Sequence, residues 1–162
     1  MRVLGVDPGL GVTGYAVIES GSGTPRLVEA GVIRSKASQP LEKRLFELYG
    51  SFEGIVDEFR PDAVAIEELY SHYAHPKTAV IMGHVRGLFF LLAGKSGIPV
   101  CSYSATRIKK SVSGIGHASK EQVAGMVATL LNCDKVPGPA DVTDAIATAL
   151  CHLHTVTHGD SK

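Results

Sequence analysis

Apolar residues fall along the chain in two rhythms. Near the start, residues 2–7, 11–18 and 27–34 are short runs rich in β-branched residues and read as strands. Pro8 and Gly9 end the first, and the turn-rich stretch 20–25 separates the second from the third. Tight connections of this kind predict an antiparallel meander. From Leu41 the period changes: Leu41, Leu45, Leu48, Phe52, Ile55, Val56 and Phe59 recur every three or four positions, an amphipathic helix stopped by Pro61. Residues 63–67, AVAIE, form a short apolar run after a helix, the pattern of a strand in the middle of a mixed sheet covered by helices. Helical character returns over 77–95, a strand over 98–103, and a short helix over 104–112 before a glycine-bearing loop at 113–117. Ser119 and Gln122 make a capping box for a helix over 120–131, and Pro139 suits the first turn of a last helix running to about residue 153. The order is β-β-β-α-β-α-β-α-α-α, without internal repeats.

Composition narrows the class. A chain of 162 residues with 44% hydrophobic and 20% charged residues can bury a core and make one compact domain, expected over residues 1–158 with a short disordered tail at 159–162. No continuous apolar run approaches the ~20 residues of a membrane span; the longest, LFFLLAG, covers 88–94. The N-terminus lacks the basic-then-apolar order of a signal peptide. Three cysteines without a CxxC spacing argue against a disulfide framework or a zinc site. The expectation is a soluble cytoplasmic protein with no membrane partner. Net charge is zero, yet residues 69–120 hold no Asp or Glu while carrying seven Lys or Arg and four His, an asymmetry suited to gripping a polyanion on one face.

Candidate chemistry lies at the ends of the apolar strands. Asp7 closes the first strand and Glu67 closes AVAIE, and ligands in sheets with helical crossovers gather at the carboxyl ends of strands. Two carboxylates meeting there repel each other, and a divalent cation is the usual resolution. Asp141 and Asp144, at i and i+3, share a face of the last helix. The helix macrodipole alone accounts for an acid like Asp141 in a first turn, whereas Asp144 sits in an otherwise apolar, packed helix. An all-oxygen set suits Mg²⁺ or Mn²⁺. Beside a basic surface it suggests two-metal phosphodiester hydrolysis.

DPGLGVTGYAVIE, AVAIEELY, SVSGIGHASKEQV and ADVTDAIATALCH, in that order over roughly residues 2–154, resemble the RuvC family of Holliday-junction resolvases. The resemblance implies a ribonuclease H-like α/β fold: a mixed five-stranded sheet, three strands antiparallel and two parallel, with helices on both faces. It implies a homodimer that nicks four-way DNA junctions in pairs with two Mg²⁺ per site, Mn²⁺ substituting, alongside a branch-migration motor complex in the resolvasome. Asp7, Glu67, Asp141 and Asp144 match its four catalytic, metal-binding acids, with Asp7 bridging both ions. Glu68 is set aside because strand alternation sends it to the opposite face. Tyr70 falls where the family has a base-stacking aromatic, and Lys109 and Lys120 match positions for phosphate contact, with Arg107 and Lys110 as electrostatic support. The helix over 77–95, with Gly83, Gly87 and Gly94, is the expected dimer face. The remaining readings are an RNA-processing nuclease of the same fold, a non-catalytic junction-binding module, and a fragment of an actin-like ATPase, for which the chain is too short.

Overall fold

A computed structural model of the chain describes residues 1–21, 23–69, 76–136 and 138–159. Five strands form one sheet in the order β3-β2-β1-β4-β5. They are β1 (Arg2–Asp7), β2 (Val12–Glu19), β3 (Arg26–Arg34), β4 (Ala63–Glu67) and β5 (Val100–Tyr103). β1, β2 and β3 are an antiparallel meander, and β4 and β5 run parallel to β1, so the mixed sheet expected from the sequence is the one found.

Parity along the strands decides what each face carries. Val3, Ala16, Ile18, Ala65 and Tyr103 point to one face, where α3 (Ala105–Ser113), α4 (Lys120–Leu130) and α5 (Ala140–His158) pack on them. Leu4, Val6, Val17, Val64 and Ile66 point to the other, against α1 (Leu41–Phe59) and α2 (Pro76–Ser96). There Phe52 of α1 and Phe89 of α2 meet edge-to-face, ring centroids 4.6 Å apart.

Local chemistry sets the helix ends. α1 stops at Arg60, whose left-handed φ of 45° lets its N–H reach the Val56 carbonyl at 2.9 Å before Pro61 forbids another turn. Ser119 and Gln122 form the expected capping box on α4. α5 runs five residues past its expected end at 153: Thr155, Val156 and Thr157 offer no break, and the helix ends only at Gly159, with φ of 60°. Residues 160–162 of the expected tail lie outside the described residues.

α2 is more apolar than any single run in the sequence suggests. No unbroken apolar run is of membrane-spanning size, yet α2 is 21 residues long and holds an 18-residue window of mean hydropathy 1.2, long and apolar enough to cross a bilayer by length and composition. The run is interrupted by glycines, Thr78, His84 and Arg86, which hid it. Only 22% of that apolar window is buried, and Val80, Phe90 and Leu91 stand 60%, 43% and 63% exposed. α2 therefore has a core side and a large apolar side with no partner among the described residues.

Candidate active site

Asp7 and Glu67 reach the same face by the same parity. Asp7 follows Val3 and Gly5 on β1, and Glu67 follows Ala63 and Ala65 on β4, all on the α5 side of the sheet. Val6 pairs with Ile66 in the parallel ladder, so the two acids are the next residues along adjacent strands. Glu68, just past the end of β4, is exposed.

α5 brings the other two acids by lying almost on the sheet backbone. A Cβ on Gly14 would stand 2.0 Å from the Asp141 carbonyl oxygen, and one on Gly5 would stand 2.1 Å from that of Ala145. No side chain larger than hydrogen fits at either place. Since Gly14 is the cross-strand neighbour of Asp7, the first turn of α5 is pressed directly beside the first acid.

Charge accumulates as a result. Burial pushes the Asp7 carboxyl up to about 7, and the negative charges of Asp144, Glu67 and Asp141 push it the same way. Burial, then Asp144, likewise raises Glu67. The compensating charges are two lysines: Lys120 opposes both shifts, and Lys109 opposes that of Glu67. Lys120 Nζ donates to Asp144 Oδ2 at 3.1 Å, and that bond raises the pKa of the lysine. Glu67, Asp144, Lys109 and Lys120 line one cleft of about 230 Å³, with Ile108 and Val123 forming part of its apolar wall.

The remaining expected residues divide. Arg107 is not in the cleft lining; its guanidinium lies 5.2 Å over the Tyr103 ring, with Nη2 3.4 Å from Thr155 Oγ1. Lys110 is exposed near the end of α3, also outside the cleft. Tyr70 lies outside the described residues. Among the described residues no group of three or more His, Cys, Asp or Glu forms a ready-made metal cage; the four acids are neighbours in charge but Asp144 is turned to an ammonium. Sequence reasoning missed Gly5 and Gly14, although glycines inside β1 and β2 opposite the small-residue run of ADVTDAIATA were a legible sign of close approach. It also missed the buried pair Tyr103 and His152, 49 residues apart, for which the chain offers no local signal.

The family model "Crossover junction endodeoxyribonuclease RuvC" matches residues 3–152. The RuvC of Rhodopirellula baltica is 46% identical over 149 residues, covering 92% of this chain and 84% of its own. That of Pelotomaculum thermopropionicum is 41% identical over 157 residues, covering 97% and 95%. Among solved structures, Thermus thermophilus RuvC superposes with a TM-score of 0.89 at 32% identity, covering 98% of this chain and 97% of that one. The same T. thermophilus protein in complex with a Holliday junction substrate gives 0.89 at 29% identity, with the same coverage. A fold matched over nearly its whole length, and sequence identity of this order in curated relatives, leave one assignment: the chain belongs to the RuvC family of crossover junction endodeoxyribonucleases.

Proposed function

We propose that this protein resolves four-way DNA junctions of homologous recombination and repair by metal-dependent, paired nicking of two opposed strands at symmetric positions. The observation that carries the reading is the cleft where Glu67 and Asp144 face Lys109 and Lys120, with Asp7 in electrostatic reach of the same groups. Acids and lysines so placed suit a phosphodiester: the lysines attract it, and the acids have charge to share with a cation.

The residues present fit a divalent metal. Asp7, Glu67, Asp141 and Asp144 supply only oxygen donors, the chemistry of Mg²⁺ and Mn²⁺. Burial first, and repulsion from the neighbouring acids second, raise the carboxyls of Asp7 and Glu67, a deficit a cation would relieve. Such ions, when bound, would supply Lewis-acid polarisation of a scissile phosphate and a water of lowered pKa. The protein's own contribution is positional. Asp7, central in the sheet, would hold metal together with Glu67 and Asp144, and with Asp141 at the start of α5. Lys109 and Lys120 hold the phosphate, and its approach frees Asp144 from its bond to Lys120. Mg²⁺ is the working ion of this reading.

Paired nicking needs two sites related by a two-fold axis, and an isologous homodimer provides them. The exposed apolar side of α2, with Val80, Phe90 and Leu91 beside glycines that have open space around them, supports that dimer. The reading carries with it a cytoplasmic location and a branch-migration motor as working partner.

The test is cleavage of a mobile four-way DNA junction in Mg²⁺ by the wild-type protein and Asp7→Asn, with plain duplex and structured RNA as controls. Symmetric paired nicks in the junction alone, and junction binding without cutting by the variant, are expected. RNA cleavage with an intact junction would move the protein to the RNA-processing class, and wild-type binding without any cutting would make it a binding module.

A further inference from the structure

Glu67 is held in a different way from Asp7. The β1–β4 ladder ends with Val6 and Ile66, one residue short of both acids. Asp7 is still paired with Gly14 of β2. Glu67 has a strand partner on one side only: Tyr103, the last residue of β5, whose carbonyl also accepts the Glu68 N–H at 2.9 Å. β5 is a four-residue strand at the edge of the sheet, and short edge segments are the first to open unless something holds them. The place of Glu67 therefore depends on what fixes the end of β5.

A buried hydrogen bond fixes it. The Tyr103 ring is 5% exposed and His152 on α5 is 4% exposed, and Tyr103 Oη lies 2.7 Å from His152 Nδ1. Burial lowers the His152 pKa, so the imidazole is neutral and the bond joins two uncharged groups. His152 lies eight residues beyond Asp144 on α5, about 12 Å along a rigid helix. One helix thus carries Asp144 near its start and, two turns later, the anchor of the residue that holds Glu67. Packing alone does not call for this pair. His152 Nε2 is buried without a hydrogen-bond partner, an expense that an apolar side chain of similar size would avoid.

We infer that Tyr103 and His152 are positioning residues: their hydrogen bond sets the separation of Glu67 from Asp144, and through it the affinity of the site for a divalent ion. The inference rests on the metal-dependent reading above.

Its test is Mn²⁺ binding to the DNA-free protein, followed by electron paramagnetic resonance, in wild type, Tyr103→Phe and the double variant Tyr103→Phe/His152→Leu. Thermal midpoints in chelator and junction affinity without metal are measured alongside. Tyr103→Phe keeps the ring and loses only the hydroxyl. It is expected to bind metal-free junction as wild type does but to bind Mn²⁺ about tenfold more weakly, the lower end of what loss of a supporting partner costs a metal site. The double variant removes the hydroxyl and the imidazole together, regains thermal stability relative to the single one and keeps the weakened Mn²⁺ binding. If Tyr103→Phe fails to fold, the double variant alone carries the test. Wild-type Mn²⁺ affinity in a folded variant, or affinity that returns with stability, would overturn the inference and leave the metal reading standing. Absence of Mn²⁺ binding by the wild-type protein would overturn both.

Discussion

Asp7 shows how one carboxyl can work against the fold in order to serve a site. Its pKa stands near 7 in the folded chain against 3.8 for an unperturbed Asp. Between those values the folded state holds a proton that the unfolded chain has released. Folding is therefore favoured by this group below about pH 4, and the benefit is lost as pH rises through 7. Glu67 shifts the same way and adds to the trend. Metal-free protein should accordingly melt lower at pH 8 than at pH 5, and Asp7→Asn should remove much of that difference. Each ~1 kcal/mol recovered is worth about 2–4 °C in a domain of this size. Calorimetry in chelator at the two pH values checks this, and adding Mg²⁺ at pH 8 should raise the wild-type midpoint while leaving the variant nearly unchanged.

At the scale of elements, α5 lying on β1 and β2 is the feature on which the site's geometry turns. Gly14→Ala would drive a methyl group into the Asp141 carbonyl, forcing α5 away from the sheet at the turn that carries two of the acids. A loss of about 1–3 kcal/mol, the usual range for overpacking, is expected together with loss of cleavage. Gly11→Ala, where nothing lies within 4 Å, is the control that should leave melting temperature and cleavage intact. Most of this layer was legible in the chain. The apolar runs placed Asp7 and Glu67 at the ends of β1 and β4, and the period change at Leu41 marked the start of α1. The capping box of Ser119 and Gln122 fixed the start of α4. What periodicity could not carry was contact between distant elements: the Lys120–Asp144 ion pair, the Tyr103–His152 bond and the seat of α5 on glycine all join segments that share no local pattern. The far end of α5 was missed for the opposite reason, since a helix continues through polar residues until a stop such as Gly159 intervenes.

For the whole molecule, the exposed side of α2 is the main unbalanced surface: apolar, studded with glycines, on the far face of the sheet from the acids. If it is a dimer seam, Leu91→Glu should convert a dimer into a well-folded monomer by sedimentation at micromolar concentration, with its melting transition little changed and its nicks no longer paired. A wild-type protein that sediments as a monomer would refute the seam. The distribution of the acids has a consequence of another kind. Asp7 belongs to β1 and Asp144 to α5, so the acids meet only when segments far apart in the chain have packed together. A chain interrupted before α5 carries at most two of the four acids and lacks the helix that would cover them. The four acids are thus gathered by tertiary packing alone, and any change that lifts α5 from the sheet disperses them.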